Sequence, residues 1–388
     1  MSSPSAHALL SASSAHRWLE CTAAPRFEAD FPDDGEVSVY AREGTLAHEI
    51  CERRGLFEFG KLSADELSSE LAKLAEDELY KQEMLRTSDV YVDYLKLKAN
   101  GFKHTPTVVF EQRVDFSRYV PDGFGTCDCI MIGDDVLHIT DYKHGKGVAV
   151  SPVGNPQMRL YALGALELFG PIYDIKRVSM AICQPRLHED VEEDELTVEE
   201  LIQWGEEFVK PKAIKAYAGN GDYQAGEHCR FCRGRALCRA RAEAALSLEL
   251  DSKTQINRLP DEAVGDLIKR AKWLKDWYED LTEYALKSMI DGKKIKGYKL
   301  VEGRSVRAFD DADAVFSELE KAGWDSAMLY NRKPKTLSEL EDMVGKKQFA
   351  KLVGNHIVKP AGKPTLAELG DKRKEYSSAA VDFKDVIK

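Results

Sequence analysis

The 388-residue chain lacks any long apolar run. No stretch approaches the roughly 20 apolar residues that cross a bilayer. The opening MSSPSAHALLSASSAHRW has neither the cationic start nor the continuous apolar core of an export leader. A membrane span is therefore not expected, and the cytoplasm is the expected location. Positive charge is also in deficit, with a net charge of -11. That balance argues against a protein that coats nucleic acid non-specifically, because phosphate binding needs clustered Lys and Arg. Cysteine is sparse: eight residues, which in a cytosolic chain of this size read as core thiols, metal ligands or redox groups rather than a disulfide framework. No internal repeat occurs. What is present, 43% hydrophobic and 31% charged residues, can bury at least one large core, and the length suggests two or three modules.

The average charge hides an asymmetry. Residues 291–388 hold 20 Lys+Arg against 16 Asp+Glu, so residues 1–290 carry -15. Residues 189–207 contain ten acids and no Lys or Arg, which reads as a solvated acidic helix and loop. Conversely, Arg230, Arg233, Arg235, Arg239 and Arg241 crowd one segment without an acid, and that segment could face phosphate.

Leu-, Ala-, Glu- and Lys-rich stretches predict a short helix over 42–54 and a longer helical region over 63–98. Strand-like runs follow at 107–114, 125–132 and 136–142, the last two joined by Gly133-Asp134-Asp135 as in a tight hairpin. A helix over about 156–168 and a strand over 177–184 come next. This order predicts an α/β core with a mixed sheet flanked by helices. A helix over 197–217 and a compact Cys- and Arg-rich element at 229–241 follow. From 259 to 290 apolar residues recur in steps of three and four along one helical face. Beyond Gly297 a smaller α+β module is expected. In it Thr336 and Glu339 are spaced as a capping box for a helix running through Phe349, and a flexible tail starts near Gly370. The expected domains are 1–245, closed by the cysteines, a helical hairpin or connector at 246–292, and an accessory module at 293–388.

The main chemical signal is Gly125-Thr-Cys-Asp128, a hairpin, then Asp141-Tyr-Lys143. Asp141 and Lys143 are two apart, so they share a sheet face. Two carboxylates converging there would bind a hard divalent cation such as Mg²⁺ or Mn²⁺, while the lysine could orient or activate a water and stabilise charge on a phosphate. Alone, an acid-x-Lys pattern is commonplace at strand ends. Upstream, Gly44-Thr-Leu-Ala-His48 places a histidine on a helix with Glu52 one turn later, and downstream Gln157 and Tyr161 repeat that spacing. A glutamine amide and a phenol there could hydrogen-bond the lysine or a phosphate.

Together these pieces resemble the PD-(D/E)XK nuclease superfamily, in the branch of the RecB nuclease domain and the CRISPR-associated adaptation nucleases. The branch's order is G-x-x-x-H (Gly44, His48), a strand acid (Asp128), acid-x-Lys (Asp141, Lys143) and Q-x-x-x-Y (Gln157, Tyr161). The resemblance implies that His48, Asp128, Asp141 and the backbone carbonyl of Tyr142 ligate the metal and that Lys143 is the catalytic lysine, with Gln157 and Tyr161 beside it. Glu111 and Glu52 would be supporting groups rather than ligands.

Cys229-x-x-Cys232 and Cys238 supply three thiolates, one short of a tetrahedral metal or iron-sulfur site. Cys51, Cys127, Cys129 and Cys183 lie in apolar contexts and read as core thiols. Cys21 lies at a polar helix end before Pro25, where a ligand can be presented. One early and three late cysteines resemble the iron-sulfur nucleases of the AddB type, which implies a structural [4Fe-4S] cluster that fastens the ends of the nuclease domain. Zinc is the alternative.

Nearly the whole chain, including residues 297–307 and 362–365, resembles a phage- and prophage-encoded family that carries a domain of unknown function and is similar to RecB-type nucleases. That resemblance implies a metal-dependent DNA exonuclease that resects ends in phage-type recombination or replication, with DNA and a single-strand annealing or single-strand-binding protein as partners. The competing readings are a catalytically silent scaffold of the same fold and a zinc-dependent DNA-binding protein. The basic residues Arg332, Lys333, Lys335, Lys346 and Lys347 suggest accessory DNA or partner binding by the last module.

Overall fold

A computed structural model of the chain describes residues 8–31, 38–188, 190–246, 261–301, 312–321, 336–353 and 356–357. The chain divides into two units, Met1–Leu300 and Val301–Lys388. In the first, α1 (Ala15–Trp18), α2 (Ala24–Ala29), α3 (Val39–Glu58), α4 (Ala64–Leu74) and α5 (Gln82–Asn100) precede strands β1 (Thr107–Asp115), β2 (Phe124–Gly133) and β3 (Val136–Tyr142). Then come α6 (Pro156–Phe169), β4 (Arg177–Cys183), β5 (Glu192–Thr197), α7 (Val198–Gln203), α8 (Lys210–Ala218), α9 (Arg239–Leu246) and α10 (Asp261–Ile290).

Strands β1 to β5 form one sheet in chain order, antiparallel throughout except for the parallel pair β3 and β4. Helix α6 makes the crossover that this parallel pair requires. The mixed α/β sheet expected from the order of elements is therefore present. β4 is buried along all but its first residue, as a parallel strand covered on both faces should be. On one face α6, the N-terminal segment around Trp18 and the helices after β5 pack over Ile130, Ile139 and Met180. On the other, α3 and α5 pack over Cys129, Met131 and Tyr142.

Three local features depart from expectation. The region 63–98 is two helices, because Asp77 Oδ1 accepts the Leu79 N–H at 2.8 Å and ends the helical ladder between α4 and α5. The acidic stretch contains a strand, β5. Its side chains find cations there: Lys98 holds Glu193, Arg177 meets Glu195 at 3.0 Å and Arg159 faces Asp194 at 3.8 Å. The helix expected at 197–217 is interrupted by a π-helical turn at Trp204–Val209. Pro211, which lacks an N–H, cannot donate back to the preceding turn, and such a gap in the ladder suits a π-bulge.

In the second unit the described elements are the helices α11 (Ala312–Lys321), α12 (Leu337–Val344) and α13 (Lys346–Val353), with no strand among the described residues. Thr336 and Glu339 do form a reciprocal cap: Thr336 N–H donates to the Glu339 carboxylate at 2.7 Å and Glu339 N–H to the Thr336 hydroxyl at 3.4 Å. The helix expected to run through Phe349 divides at Gly345, whose φ of +86° ends α12. Arg332, Lys333, Lys335 and residues from 358 on, and the side chains of Lys346 and Lys347, lie outside the described residues.

Candidate metal centre

Strands β2 and β3 pair from Gly133 and Val136 as far as Cys129 and Thr140, and the ladder stops there. Beyond that point the Asp128 side chain takes over: its Oδ2 accepts the Tyr142 N–H at 2.7 Å. The strands open around that contact, and the candidate site lies in the opening.

His48 reaches it from α3, whose first turn is capped by the Ser38 hydroxyl accepting the Ala41 N–H at 3.1 Å. The His48 Nδ1 lies 3.3 Å from Asp128 Oδ2. Burial pulls His48 down, but the Asp128 charge and hydrogen bond outweigh it and bring the imidazole up to about 8. Burial raises Asp128, yet His48, the Tyr142 amide and Lys143 outweigh it and hold the carboxyl below its ordinary value. A metal bound here would have to displace the imidazole proton.

Glu111 is the residue that sequence reasoning demoted. Its neighbours pair as Phe110 with Cys129 and Gln112 with Cys127, so it stands opposite Asp128. Its φ of +46° is left-handed, a conformation uncommon outside glycine. Burial of its carboxyl, then the Asp128 charge, pushes Glu111 up to about 7. One donor atom each from His48, Glu111 and Asp128 lie within 4.8 Å of one another, close enough to share a metal ion.

Asp141 is not part of that trio among the described residues. It is buried, on the α6 side of β3, where Lys143 Nζ lies 2.9 Å from its Oδ2 and the Gln157 amide donates to its Oδ1 at 3.2 Å. Burial raises Asp141, against the pull of Lys143. For Lys143, burial lowers the ammonium but Asp141 and Asp128 raise it further, above its ordinary value. Gln157 also lies 3.4 Å from Lys143 Nζ through its Oε1 and 3.2 Å from the Tyr161 hydroxyl through its Nε2. Helix α6 brings Gln157 there because Asn155 caps it, accepting the Gln157 and Met158 N–H groups at 3.0 and 3.3 Å, with Pro156 in its first turn. Gly125 lets Tyr161 approach: a Cβ there would meet the tyrosine ring at 2.5 Å.

The four candidate thiols come together elsewhere. Cys21, Cys229, Cys232 and Cys238 line one small cavity with Arg17, Tyr223 and Arg241. Cys21 Sγ accepts the Gln224 N–H at 3.5 Å and Cys229 Sγ accepts the Gly226 N–H at 3.4 Å. Polar ties sew the two segments together: Ala23 N–H donates to Asp222 O at 3.1 Å, Arg233 N–H to Glu28 at 2.8 Å, and Arg17 to Glu28 and to Phe231 O at 3.1 and 3.0 Å. Burial, then the Glu28 charge, raises Cys232 to about 12. Cys51, Cys127, Cys129 and Cys183 are buried core thiols, and burial raises each of them. The neighbouring arginines are largely engaged: Arg235 and Arg241 both bind Asp280 of α10, and Arg239 meets Glu243 at 2.6 Å. Arg230, Arg233 and Arg239 are nonetheless exposed on that segment.

Sheet and site define an α/β protein with a possible metal-binding trio beside a buried acid–lysine pair. Over residues 7–374 the chain matches the family described as Protein of unknown function (DUF2800), and it belongs to that family. Solved structures that it matches include LHK-Exo in complex with dAMP, at 13% identity over 46% of this chain and 93% of that one, with a TM-score of 0.24. SSO0001 matches at 13% identity over 56% and 95%, with a TM-score of 0.23. No helix among the described residues is long and apolar enough to cross a membrane.

Proposed function

We propose that this protein is a divalent-metal-dependent nuclease of the PD-(D/E)XK type that hydrolyses phosphodiester bonds of DNA as an exonuclease. The observation that carries the reading is the junction of two groups in one strand opening. His48, Glu111 and Asp128 offer metal donors, and Asp141, Lys143 and Gln157 form a hydrogen-bonded set directly behind them.

The donors suit the ion. One imidazole with carboxylates is a donor set for Mn²⁺, and for Mg²⁺ completed by water. Two facing carboxylates, one of them pushed up to about 7, favour a cation between them. The N–H and C=O of one strand residue point to the same edge, so the Tyr142 carbonyl lies on the side where its N–H meets Asp128 and is a further donor, with Asp141 next along the strand. Bound there, a divalent ion would supply Lewis-acid charge to a phosphate oxygen.

The chain's own groups do the rest. Lys143, held above its ordinary value by Asp141 and Asp128 despite burial, is an ammonium at neutral pH, so its part is to hold charge on the phosphate and to orient a water rather than to take its proton. Gln157 fixes the lysine and Asp141 relative to each other, and Tyr161 supports Gln157.

At the second centre, Cys21, Cys229, Cys232 and Cys238 would hold a structural [4Fe-4S] cluster. Their shared cavity and the N–H donors aimed at two of the sulfurs support a thiolate-held group. Zinc held by the same four thiolates is the alternative. The family resemblance supports a role in resecting DNA ends beside a single-strand annealing or single-strand-binding protein.

The test is incubation of end-labelled linear and closed circular DNA with the protein and Mg²⁺ or Mn²⁺, alongside Lys143→Ala. Loss of label from linear DNA, abolished by the substitution, is expected. Degradation of neither substrate, or equal degradation by the variant, would overturn the reading and favour a silent scaffold.

A further inference from the structure

The segment between Lys143 and Gln157 joins two of the groups that surround Asp141, and it is held at several points. Gln184, just past β4, is 4% exposed. Its Nε2 donates to the carbonyls of Gly145 and Val148, each at 2.8 Å, and its Oε1 accepts the Val150 N–H at 3.0 Å. Farther along, the Ser151 hydroxyl donates to Glu192 at 3.1 Å and the Gly154 N–H to Asp194 at 3.1 Å, both on β5. At its start the Lys143 N–H donates to Cys183 O at 2.9 Å. A buried amide that spends both donor and acceptor capacity on one loop fixes that loop's shape.

The loop so fixed displays Lys146. It is exposed between Gly145 and Gly147, and among the described residues no hydrogen bond or ion pair engages it. Most cations nearby are committed: Lys143 to Asp141, Arg186 to Glu43 and Glu83, and Arg159 to Asp194. Three residues of chain reach at most about 10 Å, so the Lys146 Cα lies within that distance of the Lys143 Cα, close enough for the two side chains to serve neighbouring phosphates of one strand.

We propose that Lys146 binds a backbone phosphate next to the scissile one and that Gln184 is the positioning residue that presents it. The inference rests on the nuclease reading and assigns to it a strand-binding group. A lysine on a loose loop would lose side-chain and backbone freedom on binding, whereas here the backbone part is already ordered. Such a contact adds affinity and salt dependence without sequence preference.

The test measures binding of a labelled DNA duplex by fluorescence anisotropy across a salt series, with Ca²⁺ replacing Mg²⁺ and Mn²⁺ to spare the probe. Lys146→Ala should weaken binding about 3- to 10-fold and reduce the salt slope by about one, with an unchanged melting temperature. Lys146→Arg should restore both. Gln184→Met should weaken binding and reduce the salt slope as Lys146→Ala does, and should raise amide exchange over 145–150. An unchanged salt slope in Lys146→Ala, or failure of Lys146→Arg to restore it, would overturn this proposal while leaving the nuclease reading intact. Absence of DNA binding by the unmodified protein would overturn both.

Discussion

The Gln157 amide donates to Asp141 at 3.2 Å while its carbonyl faces the Lys143 ammonium at 3.4 Å. One neutral side chain on α6 thus reads both members of an ion pair at the end of β3. Within that ion pair Asp141 Oδ2 is buried with no well-aligned hydrogen bond, so Gln157 supplies the directional part of the arrangement.

Replacing that amide separates geometry from charge. Gln157→Leu should lower the rate of DNA hydrolysis about 10- to 100-fold, the usual cost of losing a group that orients a metal-site side chain, with little change in Mn²⁺ affinity. Single-turnover rates and Mn²⁺ titration by electron paramagnetic resonance would measure the two effects. A wild-type rate would remove Gln157 from the site.

Glu111 is the sharper test of the metal trio. Glu111→Gln should raise the dissociation constant for Mn²⁺ about 10-fold or more, since it removes a charged donor, and the fold should survive because glutamine keeps the size and shape of the side chain. Asp128→Asn should do the same and also destabilise the protein, because it removes the charge that pairs with His48. Equal Mn²⁺ affinity for wild type and Glu111→Gln would show that Glu111 is no ligand.

Acid stability should report on His138. Burial, aided by the Lys98 charge and opposed by Glu193, brings this histidine down to about 3, against about 6.5 in an unfolded chain. Its ring is hydrogen-bonded to Ser179 at 2.9 Å, Thr140 at 3.0 Å and Tyr94 at 3.2 Å. Between pH 6.5 and 3 the unfolded chain binds a proton that the folded chain refuses. Stability from this group is therefore complete above pH 6.5 and falls on acidification by up to about 1.4 kcal/mol per pH unit. Urea midpoints at pH 7.5 and 5.0 should diverge more for wild type than for His138→Gln, and parallel shifts in the two proteins would refute the assignment.

Protein purified without oxygen should contain iron and sulfide, lost together in Cys232→Ser, with a melting temperature lowered by several degrees because the segments holding Cys21 and Cys229 are cross-tied there. One zinc and no iron or sulfide would count against the cluster.

The sheet was legible because its strands obey a simple period: β1, β2, β3 and β4 match the runs of apolar and β-branched residues to within a residue or two at each end. Asp141 and Lys143 on one strand, and Gln157 and Tyr161 one turn apart on α6, follow from local spacing alone, as does the Thr336 cap. β5 was not legible, since four acids in a row contradict strand propensity and the cations that offset them, Lys98, Arg177 and Arg159, are distant in sequence. Glu111 was hidden for a related reason: its left-handed backbone and its place opposite Asp128 belong to strand pairing, which no window on one strand contains.

By itself, then, the sequence determined the order of elements, the acid-x-Lys strand and its supporting helix, because these depend on residue types a few positions apart. Only the tertiary structure decided that Glu111 joins His48 and Asp128, that Cys21 meets cysteines some 200 residues later in the chain, and that Arg235 and Arg241 share the single carboxylate of Asp280. Those outcomes depend on which surfaces pack together, and packing is a property of the whole chain.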